Sequence, residues 1–409
     1  LNIFESNKEE VMKLKAIGSL GLCAAGMISS SAMAQSSVTM YGLIDTGIGY
    51  VSNQGGHSNL SLVQGVKNGD RFGFTGSEDI GGGTHAIFTL EGGFNSLTGA
   101  QGATGYMFNR QAFVGVTNDT YGTLTLGRQY TPYFFTVGAL SGLGGGSTLT
   151  GWAGAHPGDI DGEDTGLRIN NSVLYKTPLV KGLQASAMYA FGGVAGDINS
   201  DSVYGAALQY GNGPFEGAIG FNKLNNSGKN LVTSPTLGNF ATSAINGGYL
   251  TAESVRIIGA SARYTVGKLM VGVSGSNVVY APGQYSLFAD KAIFNTAAVF
   301  TAYRASPALT LGAGYAYTHA SESNGVTDSA SYKQITFGEI YSLSVRTRVY
   351  FLQAYQRASG QTLYAPPTSG VPSAPVIENA VASIGDGQNS TPSSGRNQFT
   401  FVAAIQHTF

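Results

Sequence analysis

Three arginines lie in segments where apolar residues recur at every second position, a spacing that fixes which way each one points. In 70–76, Phe72 and Phe74 take the apolar face and leave Arg71 on the other; in 168–175, Ile169, Val173 and Tyr175 do the same for Arg168. In 109–117, placing Phe113 on the apolar face turns Arg110 to the polar one, although Gln111 then shares the apolar side. Asp45 and Glu91 have the same polar-face parity and are candidate wall charges. The long polar stretch 131–167 gathers Asp159, Asp161, Glu163 and Asp164. Guanidinium groups on one wall, faced by carboxylates, would set a transverse field across a narrow opening, orienting polar solutes and disfavouring apolar ones. A lone arginine of this kind reads more readily as an interfacial anchor or a solvated loop charge. The acidic run has its own alternatives, a solvated surface loop or a calcium site. Three arginines sharing one parity favour the field.

Other chemistry finds little support. The five histidines (57, 85, 156, 319, 407) show no metal-ligand spacing, and no Gly-x-Ser-x-Gly turn occurs. The run Gly144 to Gly146 has no strand-to-helix context for cradling phosphate. The expectation is no enzyme, no cofactor and no metal. Cys23 is the one cysteine, so no disulfide within the chain is available. With 22 Lys and Arg against 23 Asp and Glu, there is no basic footprint for nucleic acid.

The elements that must position these groups are strands. Only 11% of the 409 residues are charged, yet mean hydropathy is +0.03 and no run of 18 apolar residues follows residue 34, which excludes a helical membrane bundle. A strand with one face in lipid and the other in water needs only every second residue apolar, so neutral hydropathy with low charge fits an all-β transmembrane antiparallel barrel. The pattern predicts strands near 38–50, 70–76, 84–94, 109–117, 122–130, 168–176, 183–191 and 202–210. Eight more are predicted near 215–223, 254–266, 268–279, 293–304, 309–319, 332–343, 347–358 and 398–409. An even number returns both termini to one side, and about sixteen strands enclose an aqueous channel. Short turns alternate with long loops at 51–69, 131–167, 224–253, 280–292 and 359–397, as a membrane meander requires.

The final strand carries Phe399, Phe401, Ala403, Ile405, His407 and Phe409 on one face, and pairing it with the first would leave no open edge. Arg128 shares the face of Leu124 and Leu126, where an arginine in lipid is costly. It is therefore expected at a subunit interface, paired with an acid of a neighbour. The N-terminus has the marks of an export signal: basic Lys13 and Lys15, an apolar stretch from Ile17 to Ile28, and Ala32-Met33-Ala34 as a cleavage site. The expected organisation is a signal peptide at 1–34, with 1–11 upstream of a start at Met12, and one barrel domain over 35–409. Leu22, before Cys23, is too bulky for a lipoprotein processing site.

Seven stretches, in order, resemble the general porins of β-proteobacteria, and the likeness spans essentially the whole chain after the signal. They are Ser37-Val38-Thr39-Met40-Tyr41-Gly42-Leu43-Ile44-Asp45, the run from Arg71-Phe72-Gly73-Phe74 to Gly81-Gly82-Gly83, Phe108-Asn109-Arg110-Gln111-Ala112-Phe113-Val114-Gly115, Gly127-Arg128-Gln129, Asn171-Ser172-Val173-Leu174-Tyr175, Tyr341-Ser342-Leu343-Ser344-Val345-Arg346-Thr347 and the closing His407-Thr408-Phe409. Two features depart from the family pattern: Val345 stands where Lys is common, and 131–167 lacks a Pro-Glu-Phe-Gly element. The resemblance implies a homotrimer of sixteen-stranded barrels in the Gram-negative outer membrane. The long third loop, 131–167, would fold into each lumen, and small hydrophilic solutes and ions would diffuse through passively.

The resemblance also implies a basic cluster at the constriction, carried by Arg71, Arg110 and Arg168. Opposite them the third-loop acids Asp159, Asp161, Glu163 and Asp164 are expected. Outer-membrane lipid, lipopolysaccharide and the barrel-assembly machinery are the further partners, the last reading Phe409 as its signal. Two alternatives remain open, a structural or adhesive barrel with surface-binding loops and a substrate-specific channel. The second would want a continuous aromatic track, and none is visible beyond Tyr41.

Overall fold

The structure, a computed structural model, describes residues 37–142, 149–164, 167–237, 240, 242–365, 373–386, 389 and 392–409. The expected signal peptide at 1–34 lies outside the described residues. Nineteen strands follow in chain order: β1 (Ser37–Gln54), β2 (His57–Gln64), β3 (Arg71–Gly81), β4 (Thr84–Gly93), β5 (Gln111–Asn118), β6 (Gly122–Tyr130), β7 (Arg168–Lys176), β8 (Leu183–Ala190), β9 (Val203–Asn212) and β10 (Phe215–Asn225), then β11 (Ser254–Val266), β12 (Leu269–Ala281), β13 (Ala292–Arg304), β14 (Leu309–Ala320), β15 (Ser331–Ser342), β16 (Thr347–Ser359), β17 (Gln361–Tyr364), β18 (Val376–Asn379) and β19 (Asn397–Thr408). The two-residue period is what makes them a wall. In β15, Gln334 and Thr336 are buried while Ile335 and Phe337 are exposed, so one face is polar inside and the other meets lipid.

Pairing is antiparallel throughout the ring, and neighbours follow chain order, so β1, β3 to β16 and β19 form a sixteen-stranded barrel. The seam closes where β19 pairs with β1, from Leu43↔Thr408 to Val51↔Thr400. At its end Gly42 and Phe409 exchange both backbone hydrogen bonds, at 3.1 and 3.0 Å. The Phe409 ring lies so close over Gly42 that a Cβ there would meet it at 2.4 Å, which is why this position takes glycine. The turn between β3 and β4 is another place that calls for glycine, since Gly81, Gly82 and Gly83 all have positive φ.

Two stretches read as loop hold strands. Residues 57–64 form β2, which takes over from β3 as the partner of β1 beyond Asp45, and β17 with β18 makes a hairpin within 359–397. Both are short and hydrogen-bond to only one or two neighbours, so their period is weak in sequence. The loop 131–167 joins β6 to β7, and its described residues make contacts with inner-face residues further round the ring. Gln334 Nε2 of β15 donates to the carbonyls of Ala153 and Ala155, and the Tyr133 ring packs against Gly220 of β10 and Gly259 of β11. Leu149 rests on Gly312 of β14 and Gly338 of β15. An apolar cluster that includes Tyr133, Leu231, Ile245, Tyr249, Tyr280 and Tyr332 binds this loop to the loops at one end of the barrel.

Candidate functional site

Antiparallel neighbours β3 to β7 bring one end of each strand to the same rim. Arg71 opens β3, Glu91 nears the end of β4, Arg110 immediately precedes β5, Tyr130 ends β6 and Arg168 opens β7. Their side chains form one network. Arg110 donates from Nε to Glu91 Oε1 and from Nη2 to the Tyr130 hydroxyl, both at 2.7 Å. The Tyr41 hydroxyl, from β1, donates to Glu91 Oε2 at 3.0 Å. The Arg168 guanidinium lies 5.0 Å from the centre of the Tyr130 ring, and its Nε is buried without a hydrogen-bond partner among the described residues. Arg71 donates from Nε to the carbonyl of Gly69. Among the described residues only Arg110 of the three lies within ion-pair distance of a carboxylate, so the group keeps an excess of positive charge.

These arginines line a cavity of about 320 Å³ together with Lys67, Phe134, Phe135, Trp152, Asp164 and Asp386. Lys67 and Asp386 lie in loops with no period to read, and sequence reasoning missed both. Burial, with the charge of Arg348 nearby, pushes the Lys67 ammonium down to about 7. Asp45 is what holds Lys67 there. At the fork where β1 changes partner from β3 to β2, the Asp45 carboxylate accepts from the backbone N–H of Lys67 and Asn68 and from Gln406 Nε2, each at 3.0 Å, and from the Tyr350 hydroxyl. Its own N–H donates to Asp70 Oδ1 at 2.6 Å. Asp45 is fully buried, an anchor for the turn and not a bare wall charge, whereas Glu91 faces the arginines.

Two parity arguments need correction. Val114 and Val116 are the lipid-facing residues of β5, at 60% and 42% exposed, and Phe113 pairs with Thr89 and Gly127 on the other side. Arg110 reaches the cavity because it precedes the strand, where the ladder no longer dictates direction. In β7, Ile169 is fully buried in the apolar cluster with Tyr133, not outward. Asn171 has a φ of 55°, and the register against β6 shifts between Gly127 and Gln129, so the period breaks there.

Arg128 pairs with Ala112 on the outer face, but its partners come from its own chain. Its guanidinium donates to the carbonyls of Asn109 (2.8 Å) and Arg168 (3.2 Å) and to Asn170 Oδ1, and it lies over the Tyr106 ring. Tyr106 and Asn109, from the stretch between β4 and β5, thus cover the Arg128 guanidinium from within the chain.

The four acids of 131–167 divide. Asp164 lines the cavity, and its N–H donates to Asp159 Oδ1 at 2.9 Å. Asp161 and Glu163 turn instead toward the barrel wall, where Asp161 Oδ2 meets His156 Nδ1 at 2.7 Å and Ser276 Oγ of β12 at 2.5 Å. The Tyr133 hydroxyl donates to Glu163 Oε1 at 2.8 Å. Burial would lower the His156 pKa, but the charge and hydrogen bond of Asp161 outweigh it and lift it to about 9. Burial and then the Asp161 charge raise Glu163, while His156 holds Asp161 down against its own burial. One donor atom from each of His156, Asp161 and Glu163 lies within 4.8 Å of the others, a donor set able to hold a metal. The spacing of five between His156 and Asp161 was the only trace of it in the sequence.

Known proteins share this architecture. The family profile described as Gram-negative porin matches residues 21–361. Outer membrane porin protein 32 of Delftia acidovorans is 32% identical over 354 residues, covering 82% of this chain and 87% of that protein. An outer membrane porin protein of Bordetella pertussis is 33% identical over 236 residues, which span 50% of this chain and 60% of that protein. Among solved structures, the anion-selective porin from Comamonas acidovorans superposes with a TM-score of 0.65 at 23% identity, over 92% of this chain and 100% of that one. The trimer form of the outer membrane protein OmpT from Vibrio cholerae gives 0.60 at 16% identity, over 91% and 99%. At these identities the structures speak for the fold.

Proposed function

From the premise that the chain belongs to the Gram-negative porin family and is an outer-membrane β-barrel channel for passive diffusion, we propose that the cavity ringed by Arg71, Arg110 and Arg168 is its constriction and that it favours small anionic and polar solutes. The observation that carries this reading is the meeting of Lys67 and three arginines in the lining of a cavity of about 320 Å³, alongside the two acids Asp164 and Asp386. Cations outnumber acids there even after Glu91 offsets Arg110. Such a ring attracts anions, and the flanking carboxylates add a transverse component that orients dipolar solutes. The loop 131–167, folded into the lumen, supplies the aromatic and acidic edge that narrows the passage.

Porin homologues form trimers, and this chain is proposed to do the same, with outer-membrane lipid and lipopolysaccharide against its apolar girdle. Residues 1–34 serve as the export signal, and the exposed ring of Phe409 is the feature the barrel-assembly machinery would read.

Planar-bilayer conductance under a salt gradient tests the constriction. Wild type is expected to open in steps of three with a reversal potential of anion sign, and Arg71→Ala and Arg168→Ala to move it toward cations. Raising the pH through about 7 discharges Lys67 and moves wild type the same way, a drift that Lys67→Met abolishes. A folded barrel whose selectivity ignores all three substitutions would overturn the assignment.

A further inference from the structure

His156, Asp161 and Glu163 come together because the short helical turn Pro157–Asp159 reverses the chain between them. Gly158 and Asp159 both adopt positive φ there, at 62° and 49°, and Gly162 follows at 69°. The result is a closed site between the 131–167 loop and β12, with the three side chains only 3%, 0% and 2% exposed. The hydrogen bonds to Ser276 and Tyr133 leave three polar atoms of the cluster over: His156 Nε2, Asp161 Oδ1 and Glu163 Oε2 are buried with no hydrogen-bond partner among the described residues. A buried polar atom without a partner is costly, so a site that keeps one on each of an imidazole and two carboxylates is organised for a cation.

We propose that His156, Asp161 and Glu163 bind one divalent first-row transition ion of the zinc class, and that the ion staples the constriction loop to the barrel wall. One imidazole nitrogen with two carboxylate oxygens is a mixed set that suits zinc, whereas calcium takes six to eight oxygens in an open, flexible shell. Ser276 and Tyr133, each bonded to one of the carboxylates, orient the ligands from behind. The functional consequence follows from position: Asp164, which lines the constriction cavity, is the next residue after Glu163, so the ion fixes the edge of the passage.

The test uses the full chain, refolded in detergent with and without Zn²⁺ and then stripped of loosely held metal. Competition against a chromophoric chelator is expected to show one Zn²⁺ per chain, with Ca²⁺ unable to displace it. His156→Ala weakens binding at least 100-fold. Glu163→Gln, which keeps the side-chain volume and an acceptor for Tyr133, weakens it at least 10-fold in a barrel whose heat-modifiable mobility is unchanged. Zinc-edge absorption places one nitrogen in the shell of wild type and none in His156→Ala. No stoichiometric zinc in folded wild type, undiminished binding in either variant, or preferential binding of Ca²⁺ would each overturn the proposal.

Discussion

From β11 round to β16 and β19 the strands pair residue by residue with no shift of register, whereas between β1 and β7 the ladder is interrupted repeatedly. There β1 changes partner at Asp45, β3 and β4 slip between Asp79 and Gly81, and β6 and β7 slip between Gly127 and Gln129. The charged cluster sits in the interrupted sector. An unbroken ladder fixes each side chain to the inner or outer face by its two-residue period, and that rule lapses at a fork, a bulge or a strand end, which is where Arg110, Tyr130 and Arg168 are aimed into the cavity. The regular sector supplies the wall, and the irregular one supplies the chemistry.

The comparison breaks most visibly at the fork. Asp45→Ala removes the acceptor of four donors, three of them around the turn that presents Lys67 and the β19 seam, and should cost about 3–5 kcal/mol in urea unfolding from lipid vesicles. Thr336→Val in β15, where the buried hydroxyl has no partner among the described residues, should stay within about 1 kcal/mol of wild type. Equal losses at the two positions would show that the fork carries no special share of stability.

A smaller effect is expected at the ion pair. Removing Arg110 leaves Glu91 nearly sealed without its cation, while removing both leaves nothing to desolvate. The double-mutant cycle of Arg110→Ala and Glu91→Ala should therefore give a coupling of about 2–3 kcal/mol, read from the same unfolding transitions. A coupling near zero would mean that solvent screens the pair and that the cavity is more open than its contacts indicate.

The same contrast explains what could be read from sequence. All sixteen barrel strands were legible because lipid on one side and water on the other impose alternation over about ten residues. The face of Arg71 was legible because Phe72 and Phe74 flank it within an intact ladder. Arg110 was assigned from Phe113, and Arg168 from Ile169 with Val173 and Tyr175; Phe113 and Ile169 in fact face inward, because the bulge at Asn171 and the strand start at Gln111 leave no mark in hydrophobic periodicity. Lys67, Asp386 and the inward turn of Asp161 and Glu163 depend on long-range loop packing, and alternation says nothing about that. His156 went unrecognised because its partners are set by a reversal at Gly158, not by a helical or strand spacing.

The smallest predicted effect examines the bulge itself. Asn171 is exposed and holds a φ of 55°, a conformation glycine adopts freely and asparagine tolerates better than most side chains. Its carbonyl accepts from the Phe191 N–H at 3.1 Å, a bond that any substitution preserves. Asn171→Gly should therefore be neutral or raise stability by up to about 0.5 kcal/mol, and Asn171→Ala should lower it by about 1 kcal/mol. The Ala variant should also shift selectivity, because relaxing the bulge restores the strict period and turns Arg168 away from Tyr130. If Ala and Gly behave alike in both stability and reversal potential, the positive φ is not what re-aims Arg168, and the slip at Gly127 must do it alone.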